Sequence, residues 1–282
     1  MIIPLEGRWA LILGASSGIG RAIATALAQE GANIVGLHFD TGDRAASVAE
    51  LAGKLRGYGV EAHFENANAA SPATRAKLIP RLLELTGGEG VHITVHSLAF
   101  GTLVPYLPRE PWPASITKRQ LEMTVDVMAH SLVYWVQDLH AAELLRPGAK
   151  VYALTSAGTV QALPSYGAVS AAKVALEAHV RQLACELAPY RVAVNALRAG
   201  VTVTPALQRI PESADFVARG EANNPHGRLT VPEDVAEAVT LLSRTDSSWI
   251  TGNTIGVDGG ELHAAAGAWS RPVPAGHEGG MP

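Results

Sequence analysis

Tyr166 and Lys173 stand seven residues apart in a stretch with helical spacing of apolar residues. On a helix, positions i and i+7 return to one face, so a phenol and an ammonium project together. Lys173 lies between Ala172 and Val174, where an unpaired cation is costly, and a ligand partner explains it better than packing. Ser156 adds a hydroxyl seventeen residues before the lysine. A second group of residues, Leu13-Gly14-Ala15-Ser16-Ser17-Gly18-Ile19-Gly20, lies between an apolar run and a helical pattern. Glycines there allow a tight turn and let backbone N–H groups approach a pyrophosphate at the positive end of a helix. Past the next apolar run comes His38-Phe39-Asp40, with no cation at Ser17 or before Arg44. A carboxylate at that place accepts from the 2′-hydroxyl of NAD and repels the 2′-phosphate of NADP, so NADH is the preferred expectation over NADPH. The plainer reading makes Asp40 and Asp43 caps of the following helix.

The elements that must carry these residues alternate regularly. Strands are predicted at Ala10–Leu13, Ile34–Leu37, Val60–Phe64, Val91–Val95, Lys150–Leu154, Val192–Ala196 and Thr254–Val257. Between them, helices are predicted at Gly18–Gln29, from Asp43, at Pro72–Thr86, Thr117–Leu145, Tyr166–Leu187 and Pro232–Ser243. Seven strands with intervening helices imply a Rossmann-type α/β fold, a doubly wound parallel sheet covered on both faces. One dinucleotide-binding domain then spans residues 1–263, followed by a Gly/Pro-rich tail, 264–282, read as a mobile extension. The proline-rich segment Thr102–Ser115 and the aperiodic segment Gly200–Arg228 follow strands four and six, at the strand ends where open α/β sheets bind ligands.

Composition narrows the class. Of 282 residues, 48% are hydrophobic and 17% charged, and the net charge of −4 gives no basic surplus for a phosphate backbone, so nucleic acid is not expected as a partner. One cysteine excludes an intrachain disulfide, and the ten histidines show no ligand spacing, so no metal site is expected. The longest uncharged stretch, between Lys150 and Lys173, is broken by Ser, Thr, Gly and Pro, so no membrane span is read; Glu6 and Arg8 precede an apolar run, Trp9–Leu13, that passes into a glycine turn, so no signal peptide is read either, and a cytoplasmic location is expected.

From Arg8 to Leu262 the chain resembles the short-chain dehydrogenase/reductase family. Gly14, Gly18 and Gly20 match its glycine pattern, Val194-Asn195-Ala196 with Gly200 and Thr204 its stretch after strand six, and Val257-Asp258-Gly259-Gly260 its end. The common members place tyrosine four residues before the lysine, where this chain has Val169. The seven-residue spacing of Tyr166 and Lys173 resembles the divergent branch of enoyl-acyl-carrier-protein reductases, as do His96-Ser97-Leu98-Ala99-Phe100-Gly101 and Asp126. Ser156 departs from that branch: it holds the place of the common members' catalytic serine. The Thr155-Ser156-Ala157-Gly158 stretch is similar to an enoyl reductase subtype that is usually NADPH-dependent, which opposes the preference for NADH.

The resemblance implies reduction of the C=C bond of a trans-2-enoyl thioester, on coenzyme A or an acyl carrier protein. Tyr166 would stabilise the enolate, Lys173 would hold the nicotinamide ribose, and Ser156 would add a hydrogen bond or shape the pocket. It assigns cofactor contacts to Gly14, Ser16, Ser17, Gly18, Ile19, Gly20, His38, Asp40, Asn68, Ser97, Ala99, Lys173, Gly200, Thr202 and Thr204. Asn68 would take the adenine amine. The helices Thr117–Leu145 and Tyr166–Leu187 are apolar on more than one side, and in the family such helices pair across subunits, so a homotetramer is expected. Two other functions fit the same residues: a carbonyl reductase on this scaffold, and a non-catalytic dinucleotide sensor that would need only the glycine turn.

Overall fold

Strand β1 (Trp9–Leu13) shows how the chain divides its apolar residues. Successive side chains of a strand point to opposite faces. Trp9, Leu11 and Leu13 join one buried cluster, while Ala10 and Ile12 join the other. Both faces are therefore covered. The computed structural model describes residues 2–40, 44–110, 112–210 and 213–264. Asp43 and the tail beyond residue 264 lie outside them.

The remaining strands are β2 (Asn33–His38), β3 (Ala62–Asn66), β4 (Ile93–His96), β5 (Lys150–Ser156), β6 (Ala193–Ala199) and β7 (Thr254–Val257). They form one parallel sheet in the order β3-β2-β1-β4-β5-β6-β7. The order reverses at β1 and β4, the switch point where a cleft opens at the strands' carboxyl ends. Helices α1 (Gly18–Gln29) and α2 (Arg44–Arg56) lie with α8 (Pro232–Ser243) on one face. On the other lie α3 (Pro72–Thr86), α5 (Ser131–Ala141) and α6 (Gly167–Leu187).

The predicted long helix is the largest correction. A capping box between Thr117 and Gln120 starts it as α4 (Lys118–Val125), but a π-helical turn, Asp126–His130, interrupts it before α5. It ends at Ala141, short of Leu145, and Glu143 just beyond has a positive φ of 54°. Buried hydrogen bonds hold the wide turn: Ser131 Oγ donates to the Val127 carbonyl at 2.8 Å and lies 2.8 Å from His96 Nε2 on β4. Nothing local in the sequence announces such a turn, because its partner comes from a distant strand. The segment after β6 also contains an unpredicted helix, α7 (Ser213–Asn223), with only Phe216 and Gly220 buried. Two buried positions make too weak a pattern to read. Strands β3 and β4 start two residues later than predicted, while β5 and β6 continue to Ser156 and Ala199, toward the cleft. Among the described residues no helix is long and apolar enough to cross a membrane.

Candidate active site

The turn from β1 to α1 is built on close backbone approach. Gly14 has φ of 94°, and a β-carbon there would lie 2.5 Å from the Ser97 carbonyl oxygen. On Gly20 it would lie 2.0 Å from the Gly14 oxygen. These two glycines press α1 against the ends of β1 and β4. Gly18, at φ of 53°, instead faces Thr204, whose methyl would be 3.2 Å from a β-carbon there, so the chain after β6 lies over the turn. Ser17 begins α1 without a side-chain hydrogen bond to its first-turn N–H groups. Those donors suit an anion.

A cavity of about 370 Å³ runs along this turn. Gly14, Ser16, Ser17, Gly18, Ile19, His38, Asp40, Ser97, Ala99, Gly200, Thr202 and Thr204 line it, and so do Ser156, Tyr166 and Lys173. Gly20 does not line it and packs on the Gly14 carbonyl. Asn68 is also outside: it sits exposed after β3, its Oδ1 accepting the Ala70 N–H at 3.0 Å in a local turn. His38 and Asp40 make a pair at 3.0 Å at the end of β2, and the Asp40 N–H donates to Asn66 Oδ1. Thr202 is tied by its hydroxyl to the Gly200 carbonyl at 2.9 Å, and Thr204 Oγ1 accepts the Leu207 N–H at 3.2 Å.

The far half of the cavity holds the polar centre. Tyr166 caps the start of α6, and its hydroxyl lies 3.4 Å from Ser156 Oγ at the end of β5. A β-carbon on Gly158 would be 2.7 Å from the Tyr166 ring, so this glycine lets the ring lie on the backbone between them. Burial raises the phenol's pKa, partly offset by the Ser156 hydrogen bond. The phenol therefore keeps its proton. Lys173, two helical turns on, is buried and donates to the Leu154 carbonyl at 2.6 Å and the Leu98 carbonyl at 3.5 Å. Its third donor is available to a ligand hydroxyl. Desolvation lowers its pKa to about 8, with Glu177 one turn along opposing the shift. Glu177 is itself held by Thr155 Oγ1 at 2.8 Å.

Beyond Tyr166 the wall turns apolar, with Leu103, Met128, Leu163, Val169, Ile210 and Phe216. Met128 is delivered by the π turn and Phe216 by α7, the two features the sequence pattern did not reveal. His96 is buried behind the site, its pKa lowered to about 3 by desolvation and then by Lys173, which keeps it neutral. Among the described residues no three His, Cys, Asp or Glu side chains cluster as for a metal ion.

A glycine turn at the sheet's switch point, open helix donors, and a phenol and a buried lysine lining one cavity define a nicotinamide-dinucleotide oxidoreductase of Rossmann type. The comparisons with known proteins narrow this class. A family model described as enoyl-(acyl carrier protein) reductase matches residues 14–261, and the chain belongs to this group of the short-chain dehydrogenase/reductase family. An Arabidopsis thaliana NADPH-dependent aldehyde reductase-like protein is 31% identical, over 92% of this chain and 95% of its own. The 3-oxoacyl-[acyl-carrier-protein] reductase FabG of Thermotoga maritima is 28% identical, over 91% and 98%. Among solved structures, FabI from Candidatus Liberibacter asiaticus superposes with a TM-score of 0.81 at 26% identity, covering 94% of this chain and 99% of that one. The enoyl-[acyl-carrier-protein] reductase (NADH) of Aquifex aeolicus gives 0.78 at 26%, covering 91% and 97%. The chain is an NAD(P)H-dependent oxidoreductase.

Proposed function

We propose that the enzyme reduces the C=C bond of a trans-2-enoyl thioester. The observation that carries this reading is Tyr166 at the head of α6, with Val169 one turn nearer Lys173. In a ketone, the carbon that takes hydride and the oxygen that takes the proton are directly bonded. In an enoyl thioester, the β-carbon and the carbonyl oxygen are three bonds apart. The hydroxyl donor must then stand farther from the lysine-bound ribose, and three residues of helix supply about 4.5 Å. The apolar wall of Met128, Val169 and Phe216 suits an acyl chain.

A bound reduced nicotinamide supplies the hydride to the β-carbon. The enolate so formed takes a proton at its α-carbon to complete the reduction, and the chain stabilises the charge until then. Negative charge gathers on the thioester oxygen, where Tyr166 donates a hydrogen bond and Ser156, 3.4 Å from it, is placed to add a second. The raised phenol pKa keeps Tyr166 a donor, and the Lys173 ammonium favours the oxyanion electrostatically. Open N–H groups of α1 would take the pyrophosphate, and Asp40 the adenosine ribose. The Asp40 carboxylate beside His38 supports the preference for NADH, and the name of the Aquifex relative agrees; the name of the Arabidopsis relative favours NADPH.

Carbonyl reduction is the second reading, favoured by Ser156 and by the names of the Arabidopsis and Thermotoga relatives. Absorbance of NADH or NADPH with crotonyl thioester, then with acetoacetyl thioester, separates the two. Oxidation with the crotonyl substrate is expected, and oxidation only with acetoacetyl overturns the C=C reading. Tyr166→Phe should lower the observed turnover roughly a hundredfold or more. A tenfold lower KM for NADPH than for NADH would reverse the cofactor preference. Acyl-carrier-protein thioesters tested beside coenzyme A thioesters show which carrier is used.

A further inference from the structure

We infer that Tyr106 and Arg109, in the proline-rich loop after β4, clamp the start of α6 and are positioning residues for Tyr166; this rests on the reading of Tyr166 as the hydrogen-bond donor. The loop is closed at its base. The Thr102 N–H donates to Thr124 Oγ1 of α4 at 3.0 Å, and the Ile116 N–H donates to the Pro105 carbonyl at 3.0 Å. Between these ties the Tyr106 ring lies on the backbone of Gly167, where a β-carbon would be 2.7 Å from its Cζ. Arg109, whose backbone pairs with that of Trp112, donates from its guanidinium to Ser165 Oγ at 3.4 Å. Contacts thus flank Tyr166 on both sides in sequence.

The residue so held is strained. Ser165 is buried with φ of 56°, a left-handed conformation uncommon for a residue with a β-carbon. That backbone sets the direction in which the chain enters α6, and hence where the Tyr166 ring meets Gly158 and Ser156. Neither Tyr106 nor Arg109 lines the cavity, so their effect on chemistry passes through Tyr166.

Steady-state kinetics, dinucleotide affinity by fluorescence titration and amide hydrogen exchange of the 163–170 segment test the clamp in Arg109→Ala, Arg109→Lys and Gly167→Ala, the last pushing the Tyr106 ring away. Expected are a roughly tenfold or larger fall in kcat for Arg109→Ala and Gly167→Ala, dinucleotide Kd within about twofold, and faster exchange confined to 163–170. Arg109→Lys, which keeps a donor, should retain more activity than Arg109→Ala. Ser165→Gly in the Arg109→Ala background should recover part of kcat, because glycine adopts this conformation without the clamp. Unchanged kcat, a Kd that weakens in step with it, or no recovery by Ser165→Gly overturns the clamp. If Tyr166→Phe leaves turnover unchanged, the reading of Tyr166 fails instead. Thermal unfolding of each variant separates these outcomes from loss of fold.

Discussion

Lys173 carries the pH dependence of this site. Burial holds its pKa at about 8 against an ordinary 10.5, so between those values the folded chain is neutral there while the unfolded chain is still protonated. Stability should therefore rise with pH across that window, since the unfolded state binds the extra proton. Activity should move the opposite way: in the proposed reaction the ammonium is the form that favours the oxyanion, so kcat/KM should fall as pH rises through about 8. Glu177 opposes the desolvation, and Glu177→Gln should shift the alkaline limb to lower pH. A pH profile of the free enzyme and the variant checks the direction, and a limb that stays put or rises removes Glu177 from the tuning of Lys173. Tyr166 and Lys173 were legible as a pair from their spacing. What spacing could not tell is that Tyr166 caps the helix and meets Ser156 across a glycine.

Two elements shape the cavity, and they differ in how far the sequence discloses them. The β1 turn follows from local chemistry: Gly14 needs positive φ and Gly20 needs contact with the Gly14 carbonyl, so no other residue fits either place. Gly20→Ala should force α1 away from β1, cost roughly 1–3 kcal/mol in urea unfolding, and weaken dinucleotide binding more than tenfold. Equal binding by the variant would show that the turn does not set the position of the α1 donors. The π turn is the opposite case. Its hydrogen bonds run through Ser131 to His96, thirty-five residues earlier, and a 3.6-residue pattern continues across it without a break in composition. Met128, fixed there against Val169 and Ala172, enters the apolar wall of the cavity through that turn.

For the whole molecule, the reading of α4–α5 and α6 as faces for sister subunits changes in part. Leu132, Trp135, Val136 and Leu139 are buried within the chain itself, which uses most of the apolar surface of α5. Exposed apolar side chains remain at Val174 on α6, and at Trp249 and Ile250 just before β7, with Trp249 93% exposed. Among the described residues β7 is the last strand of the sheet, and a sheet edge next to exposed apolar side chains favours association. Sedimentation at micromolar concentration is expected to show a tetramer, and Trp249→Glu a smaller species. A monomeric parent protein would refute the assembly.

By itself the sequence determined the alternation of strands and helices, the glycine turn and the Tyr166–Lys173 pair, because each depends on residues a few positions apart. Strand ends, the π turn and α7 were decided only by the tertiary structure. Strand ends answer to neighbouring strands, and β5 continues to Ser156 because β6 pairs with it there. Asn68 Oδ1 accepts the Ala70 N–H in a turn just after β3, a detail that the resemblance did not carry. The clamp of Tyr106 and Arg109 on α6 joins residues more than fifty positions apart, and no periodicity connects a proline-rich loop to the helix start it holds.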